Sequence, residues 1–231
     1  MLISNIKQAV VAHEKYRVKI GDENIEYKKS LKFLGLIIDE NLNWHDHIHY
    51  TKNKISKITY SIKMIKHTLP LQNIKTLYET LVQPHMEYGI TLWGGTHDTY
   101  VNQVIVQQKK IIRSITNKKY NEHTDPLFNQ LNLLKLKQLH KLNVAKFMYK
   151  VSKNDLPKPI NIQYKLNTNV HAHDTRQLQN PHIRHRRTMQ ASKQITHTGP
   201  KMWQQVPNNL KNISNLKLFS KHYKKYLILN Q

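Results

Sequence analysis

Cysteine is absent from the 231 residues. With no thiols there are no disulfides, and zinc fingers or knuckles built on cysteine are excluded with them. Long apolar runs are missing too. The longest covers residues 33–38, far short of the roughly 20 residues a membrane helix needs. Near the N-terminus Lys7, Glu14 and Lys15 surround an apolar stretch too short for a secretory signal. An intracellular protein, nuclear or cytoplasmic and with no membrane partner, is the expectation. Glycine is scarce, and Gly94-Gly95 lacks the lysine and the strand-to-helix setting of a phosphate loop. No nucleophile elbow or other local signature of Ser-His-Asp catalysis is present.

Acids are the other shortage. Fourteen Asp and Glu face 37 Lys and Arg, a formal charge of +23. No acid lies between Asp46 and Glu79, none between Asp125 and Asp155, and none after Asp174. That last stretch carries Arg176, Arg184, Arg186, Arg187, Lys193 and Lys201 before five more lysines. Excess positive charge on this scale points to a polyanionic partner, because neutralised phosphates release counterions. Arginine is rare elsewhere in the chain, and its planar fork suits phosphate. The cluster of Arg184, Arg186 and Arg187 is therefore a candidate nucleic-acid contact, with a solvated or nuclear-import patch as the alternative.

Periodicity divides the chain. Tyr16, Val18 and Ile20 alternate before a Gly21-Asp22 turn, Ile25 and Tyr27 after it, and residues 33–38 read as a buried strand. From Asn43, a candidate helix cap with Asp46 three residues on, the period becomes helical. Ile48, Ile55, Ile58, Ile62 and Ile65 form one stripe, with Lys52, Lys57 and Lys63 off it. Pro70 opens a second helix (Leu71, Ile74, Leu77, Tyr78, Leu81) that Pro84 should stop. A third follows Trp93-Gly94-Gly95, a fourth spans about 126–151, and a last one covers 215–229. The fold class is mainly α, with a small N-terminal β element, a helical middle and a helical C-terminal region containing an irregular basic segment, 152–200.

Several strings together resemble the end of a reverse transcriptase from a non-LTR, LINE-type retrotransposon of the jockey-like kind. They are Lys32-Phe33-Leu34-Gly35-Leu36-Ile37-Ile38-Asp39, Leu42-Asn43-Trp44, His47-Ile48, Leu77-Tyr78, Pro84-His85, Tyr88-Gly89 and Trp93-Gly94. Further on come Gln107-Gln108-Lys109-Lys110, Ile112-Arg113, His123-Thr124, Pro126-Leu127-Phe128, Gly199-Pro200, Trp203, Pro207 and Phe219. The resemblance implies three parts. Residues 1–42 would be the end of the palm, with Phe33, Leu34 and Gly35 in the hairpin that supports the primer terminus. Residues 43–119 would be thumb-like helices embracing the template–primer duplex, and 120–231 the C-terminal region.

The chain departs from the family at its chemistry. Polymerisation needs two metal ions on palm aspartates, one pair of them adjacent. The seven aspartates are Asp22, Asp39, Asp46, Asp98, Asp125, Asp155 and Asp174, and no two are neighbours. No catalytic residue and no cofactor is expected here; the magnesium ions would belong to a palm upstream of Met1. His45, His47 and His49 would converge only on a strand, and the helical stripe sets i and i+2 about 200° apart. His171, His173, His182 and His185 have no cysteine partners. Solvated histidine is the reading for most of these, with no metal site, and core packing for Trp44, Trp93 and Trp203.

The expected function is non-specific binding of RNA–DNA or DNA duplex, through Lys52, Lys57, Lys63 and the three arginines, by a fragment unable to copy it. An upstream reverse-transcriptase segment is the other expected partner. Two rivals remain at this point: part of an active polymerase whose upstream segment was lost when the gene was delineated, or a decayed fragment without function.

Overall fold

The computed structural model describes residues 19–170 and 180–230; Tyr16, Val18, His171, His173 and Arg176 lie outside these. Among the described residues two hairpins precede a mostly helical body. Strands β1 (Lys19–Ile20) and β2 (Glu23–Asn24) pair around Gly21-Asp22, and β3 (Ser30–Phe33) pairs antiparallel with β4 (Leu36–Asp39). The run 33–38 is therefore not a buried strand. Leu34 and Gly35 have φ of 45° and 83°, the left-handed pair that a two-residue hairpin turn requires. The apolar run folds back on itself there, leaving Phe33 57% and Leu34 76% exposed.

Helix α1 (His45–Ile65) buries Ile48, Ile55 and Ile62 against α5 (Asp98–Ile115). Its start differs from the expected cap. Asn43 Oδ1 accepts the His45 amide at 2.9 Å, while Asp46 turns sideways to His45 at 3.1 Å. Helix α2 (Leu71–Leu77) passes through a π turn, Tyr78–Val82, into α3 (Gln83–Glu87). Pro84 does not stop it. The Gln83 amide reaches back to the Tyr78 carbonyl, and the wide turn places Pro84 at the start of a new α segment, where its missing N–H is not needed. The extra residue also rotates the buried stripe. Tyr78, Val82 and Met86 are fully buried, whereas Leu81, read as core, is exposed; Leu71, read the same way and at the first position of α2 ahead of the π turn, is exposed as well.

After α4 (Ile90–Trp93) and α5, the expected fourth helix is two. Asn132, left-handed at φ 51°, ends α6 (Asp125–Leu131), and the Leu133 amide bonds back to Phe128 in the manner of a C-terminal cap. Buried Leu133 and Leu134 then lead into α7 (Leu136–Ser152). Short helices follow: α8 (Lys158–Asn161), α9 (Met189–Ser192), α10 (Ile195–Gln204) and α11 (Asn208–Lys211), then the long α12 (Leu216–Leu229). Helix α10 begins within the stretch read as irregular and runs past its end. Gly199-Pro200 looks like a breaker, yet Gly199 is where α10 meets α7: a Cβ there would lie 2.7 Å from Met148 Sδ.

One cluster of buried side chains extends from Ile48 to Leu227, so residues on both sides of position 120 share it. Its polar centre is Gln108. The amide donates to Tyr78 Oη at 2.9 Å and to the Leu134 carbonyl at 3.0 Å, and accepts the Leu136 amide at 2.9 Å. A buried amide so satisfied incurs little of the desolvation penalty that an orphan would. No helix among the described residues is long and apolar enough to cross a membrane.

His140 of α7 is 5% exposed, and its ring fills the space above Gly94, where a Cβ would lie 2.8 Å from the imidazole. Burial lowers its pKa to about 4. The folded pKa is below the unfolded value, so the stability from keeping His140 neutral is complete above pH 6.5 and lost as pH falls towards 4. That contribution is about 3 kcal/mol. Urea unfolding should show this loss across the window, and His140→Gln should flatten it; an unchanged slope in the variant would refute the assignment.

Candidate nucleic-acid interface

The hairpin β3–β4 is held from below by residues fifty positions downstream. Tyr88 Oη donates to the Leu34 carbonyl, and its ring occupies the space beside Gly35, where a Cβ would approach it to 3.2 Å. Leu36 sits on Gly89, which is itself left-handed at φ 62°; a Cβ there would meet Leu36 Cδ2 at 2.7 Å. Both glycines are thus required by close approach as well as by backbone conformation. Trp93 Nε1 donates to the Tyr88 carbonyl at 2.9 Å, fixing the clasp to the core.

The loop after β4 is organised by one carboxylate. Buried Asp39 accepts the amides of Asn41 (3.1 Å), Asn43 (3.1 Å) and Trp44 (2.7 Å). This holds Leu42 and Trp44 left-handed, at φ 51° and 66°. Thr96 Oγ1 donates to the Asn43 carbonyl at 2.9 Å, closing the loop onto the turn after Trp93-Gly94. The strings around 32–39, 42–44, 47–48, 88–89 and 93–94 therefore meet in one place. Sequence reading missed Tyr88 and Asp39 as the organisers. Gly35 and the Tyr88-Gly89 pair carried the only available signal, since glycine marks a close approach without naming its partner.

Of the three α1 lysines, Lys57 and Lys63 are exposed and Lys52 half-buried. The arginines divide differently. Arg184 and Arg187 are exposed, while half-buried Arg186 donates to Thr196 Oγ1 at 3.3 Å. His197 Nδ1 donates to the Arg184 carbonyl at 3.0 Å, tying this segment to α10. The Gln190 side chain donates to the Asn41 carbonyl, joining the following turn to the loop before α1.

The histidines separate as a helix requires: His45 and His49 are exposed and His47 is buried. Solvation is therefore the wrong reading for His47. Its ring lies edge-on to Trp44 and Trp93, with centroids 6.3 and 5.9 Å away, and burial lowers its pKa. Trp93 and Trp203 are buried, and Trp44 is half-buried. The acids do not fit a magnesium pair. Asp39, nearest the hairpin, is committed to three amides, and among the described residues no three His, Asp or Glu side chains gather as metal ligands.

Leu34 carries a left-handed backbone at an exposed position, a conformation that costs a side chain with a Cβ roughly 1–2 kcal/mol. Asparagine tolerates it. Leu34→Asn should therefore raise stability by about 1 kcal/mol in denaturant unfolding. A loss instead would mean that the leucine side chain stabilises the tip.

No protein-family model and no solved structure matches the chain. Curated relatives do. The chain is 24% identical over 119 residues to the probable RNA-directed DNA polymerase from transposon X-element of Drosophila melanogaster, covering 50% of this chain and 13% of that protein. It is 28% identical over 103 residues to the RNA-directed DNA polymerase from mobile element jockey of Drosophila funebris, covering 43% and 11%. The probable enzyme from transposon BS matches at 26% over 112 residues, 47% of this chain and 12% of the relative. The matched part thus spans about an eighth of these relatives' length. Over about half of its own length, the chain is a relative of the RNA-directed DNA polymerases of jockey-like, non-LTR retrotransposons.

Proposed function

We propose that this chain grips the template–primer duplex of a non-LTR retrotransposon reverse transcriptase and does not by itself copy it. In this reading the β3–β4 hairpin is the end of the palm that supports the primer terminus, and residues 43–119 are the thumb. The observation that carries it is the exposed, strained hairpin tip, clasped by Tyr88 beside a helix, α1, that carries no acid after Asp46. A strained apolar tip is retained where surface chemistry needs it, not where stability does. Lys52, Lys57, Lys63, Arg184 and Arg187 supply phosphate contacts, and no motif for reading bases accompanies them. Arg186 contributes less, because its guanidinium already engages Thr196.

The upstream segment that would complete the enzyme is the second partner. It would cover Phe33 and Leu34, and it would carry the adjacent aspartates and the magnesium they hold. Pure chain should extend no annealed primer with Mg²⁺ or Mn²⁺, and templated extension would overturn the division of labour proposed here.

Binding is tested by salt. If about five side chains engage phosphates, log affinity for duplex should fall against log salt with a slope of about −4 to −5. Replacing Arg184 and Arg187 with alanine should make the slope shallower by up to about 2, equally for unrelated duplex sequences. An isotherm indifferent to salt, or folded protein that binds no duplex in low salt, would sink the reading and leave a decayed fragment.

A further inference from the structure

Behind the hairpin lies a cavity of about 270 Å³, walled by β3 and its turn, the first turns of α1, and α3. Lys32, His47, Tyr50, Thr51, Lys54 and His85 line it, and no carboxylate does. Lys32 Nζ and Lys54 Nζ stand 5.4 and 4.9 Å from the centre of the same Tyr50 ring. Neither lysine has an ion pair with an acid among the described residues. Two ammonium groups thus converge on one small space without a counter-charge.

His47 packs behind these groups. Its Nδ1 accepts the Ile37 amide at 3.4 Å, which leaves the ring proton on Nε2, and that buried N–H has no hydrogen-bond partner. The hydroxyls of Tyr50 and Thr51 add two groups able to donate. Neighbouring ionisations agree with an electropositive space. The hydrogen bond from Lys54 lowers the Tyr50 pKa, and burial together with the Lys54 charge lowers that of His85. A metal ion would be repelled here, while an oxyanion would answer both ammonium groups and the Tyr50 hydroxyl.

We propose that this cavity is a phosphate pocket, in which Lys32, Lys54 and the Tyr50 hydroxyl hold one phosphate group. The group is either a phosphodiester of a strand lying across the hairpin or a free phosphate. The first source rests on the duplex-binding reading above; the pocket itself does not.

Two measurements on the full chain separate these. Inorganic phosphate, replacing chloride at constant ionic strength, should raise the melting temperature saturably and move the His85 imidazole titration, followed by NMR, to higher pH. Lys32→Ala, Lys54→Ala and the milder Tyr50→Phe should each diminish both effects, while Lys150→Ala on α7 should leave them. Duplex should then displace the phosphate effect, and the Lys54→Ala salt slope should be shallower by about 0.9, one phosphate contact. Duplex that binds without disturbing the His85 shift identifies free phosphate as the ligand and keeps the pocket. Phosphate binding with no duplex binding keeps the pocket and removes the duplex reading. Duplex binding at an unaltered slope in Lys54→Ala, with no response of His85 to phosphate or duplex, would overturn the pocket and spare the duplex reading.

Discussion

Helix α7 is enclosed on most of its circumference, and the rest of the molecule is arranged by what that enclosure demands. It packs against α3, α4, α5, α10 and α12, and Leu136, Leu139, Leu142, Val144, Ala145, Met148 and Tyr149 are all buried. A helix so surrounded must have its polar side chains neutral or bonded. Burial keeps His140 neutral, Tyr149 Oη donates to the Ile213 carbonyl at 2.7 Å, and Gln138 donates to the Leu227 carbonyl at 3.0 Å. Close neighbours must also be small: Gly94 faces His140 and Gly199 faces Met148. Two glycine strings otherwise legible only as breaks are therefore packing sites on one helix.

The candidate interface is built outward from this core by a short chain of contacts. Trp93, fully buried, donates to the Tyr88 carbonyl; Tyr88 donates to Leu34; Leu36 rests on Gly89. A hairpin of two four-residue strands has little stability of its own, so its exposed tip owes its position to the clasp. The arrangement gives the tip a defined place on a rigid body while leaving its apolar residues uncovered, which suits a surface that meets another molecule.

Charge enters as a constraint on the same surface. Only a few acids are available to neutralise the lysines, and those on α5 and α6 are already used. Asp98 pairs with Lys137 at 2.8 Å, Asp125 with Lys135 at 2.9 Å. No acid is found from His47 through Tyr78, so α1 presents its cations without local compensation. Self-repulsion of that kind destabilises a compact state and is relieved by a polyanion. The proposed duplex and the proposed phosphate pocket are two consequences of one imbalance, the first spread along a helix and the second confined to a cavity.

By itself the sequence determined the mainly α class, the small β element before it, the stripe of α1 from Ile48 to Ile62, and the span of α12. Each depends on neighbours within about four residues or on a single period, and a period survives any tertiary arrangement. The relation to jockey-like polymerases was legible for a similar reason, because short strings in a fixed order do not require a fold to be seen. The fold decided what lies between distant residues. Pro84 was absorbed because Tyr78 and Gln108 hold a π turn ahead of it, and Asn132 broke a helix that apolar spacing would have continued. His47 became a buried donor instead of a solvated base, and the apolar run 33–38 became a turn. Tyr50 and Lys54 are unremarked in sequence, Lys32 and His85 enter only as members of short strings, and the four become one lining only in the fold. Burial and convergence are properties of packing across fifty residues or more, and local pattern carries no record of them.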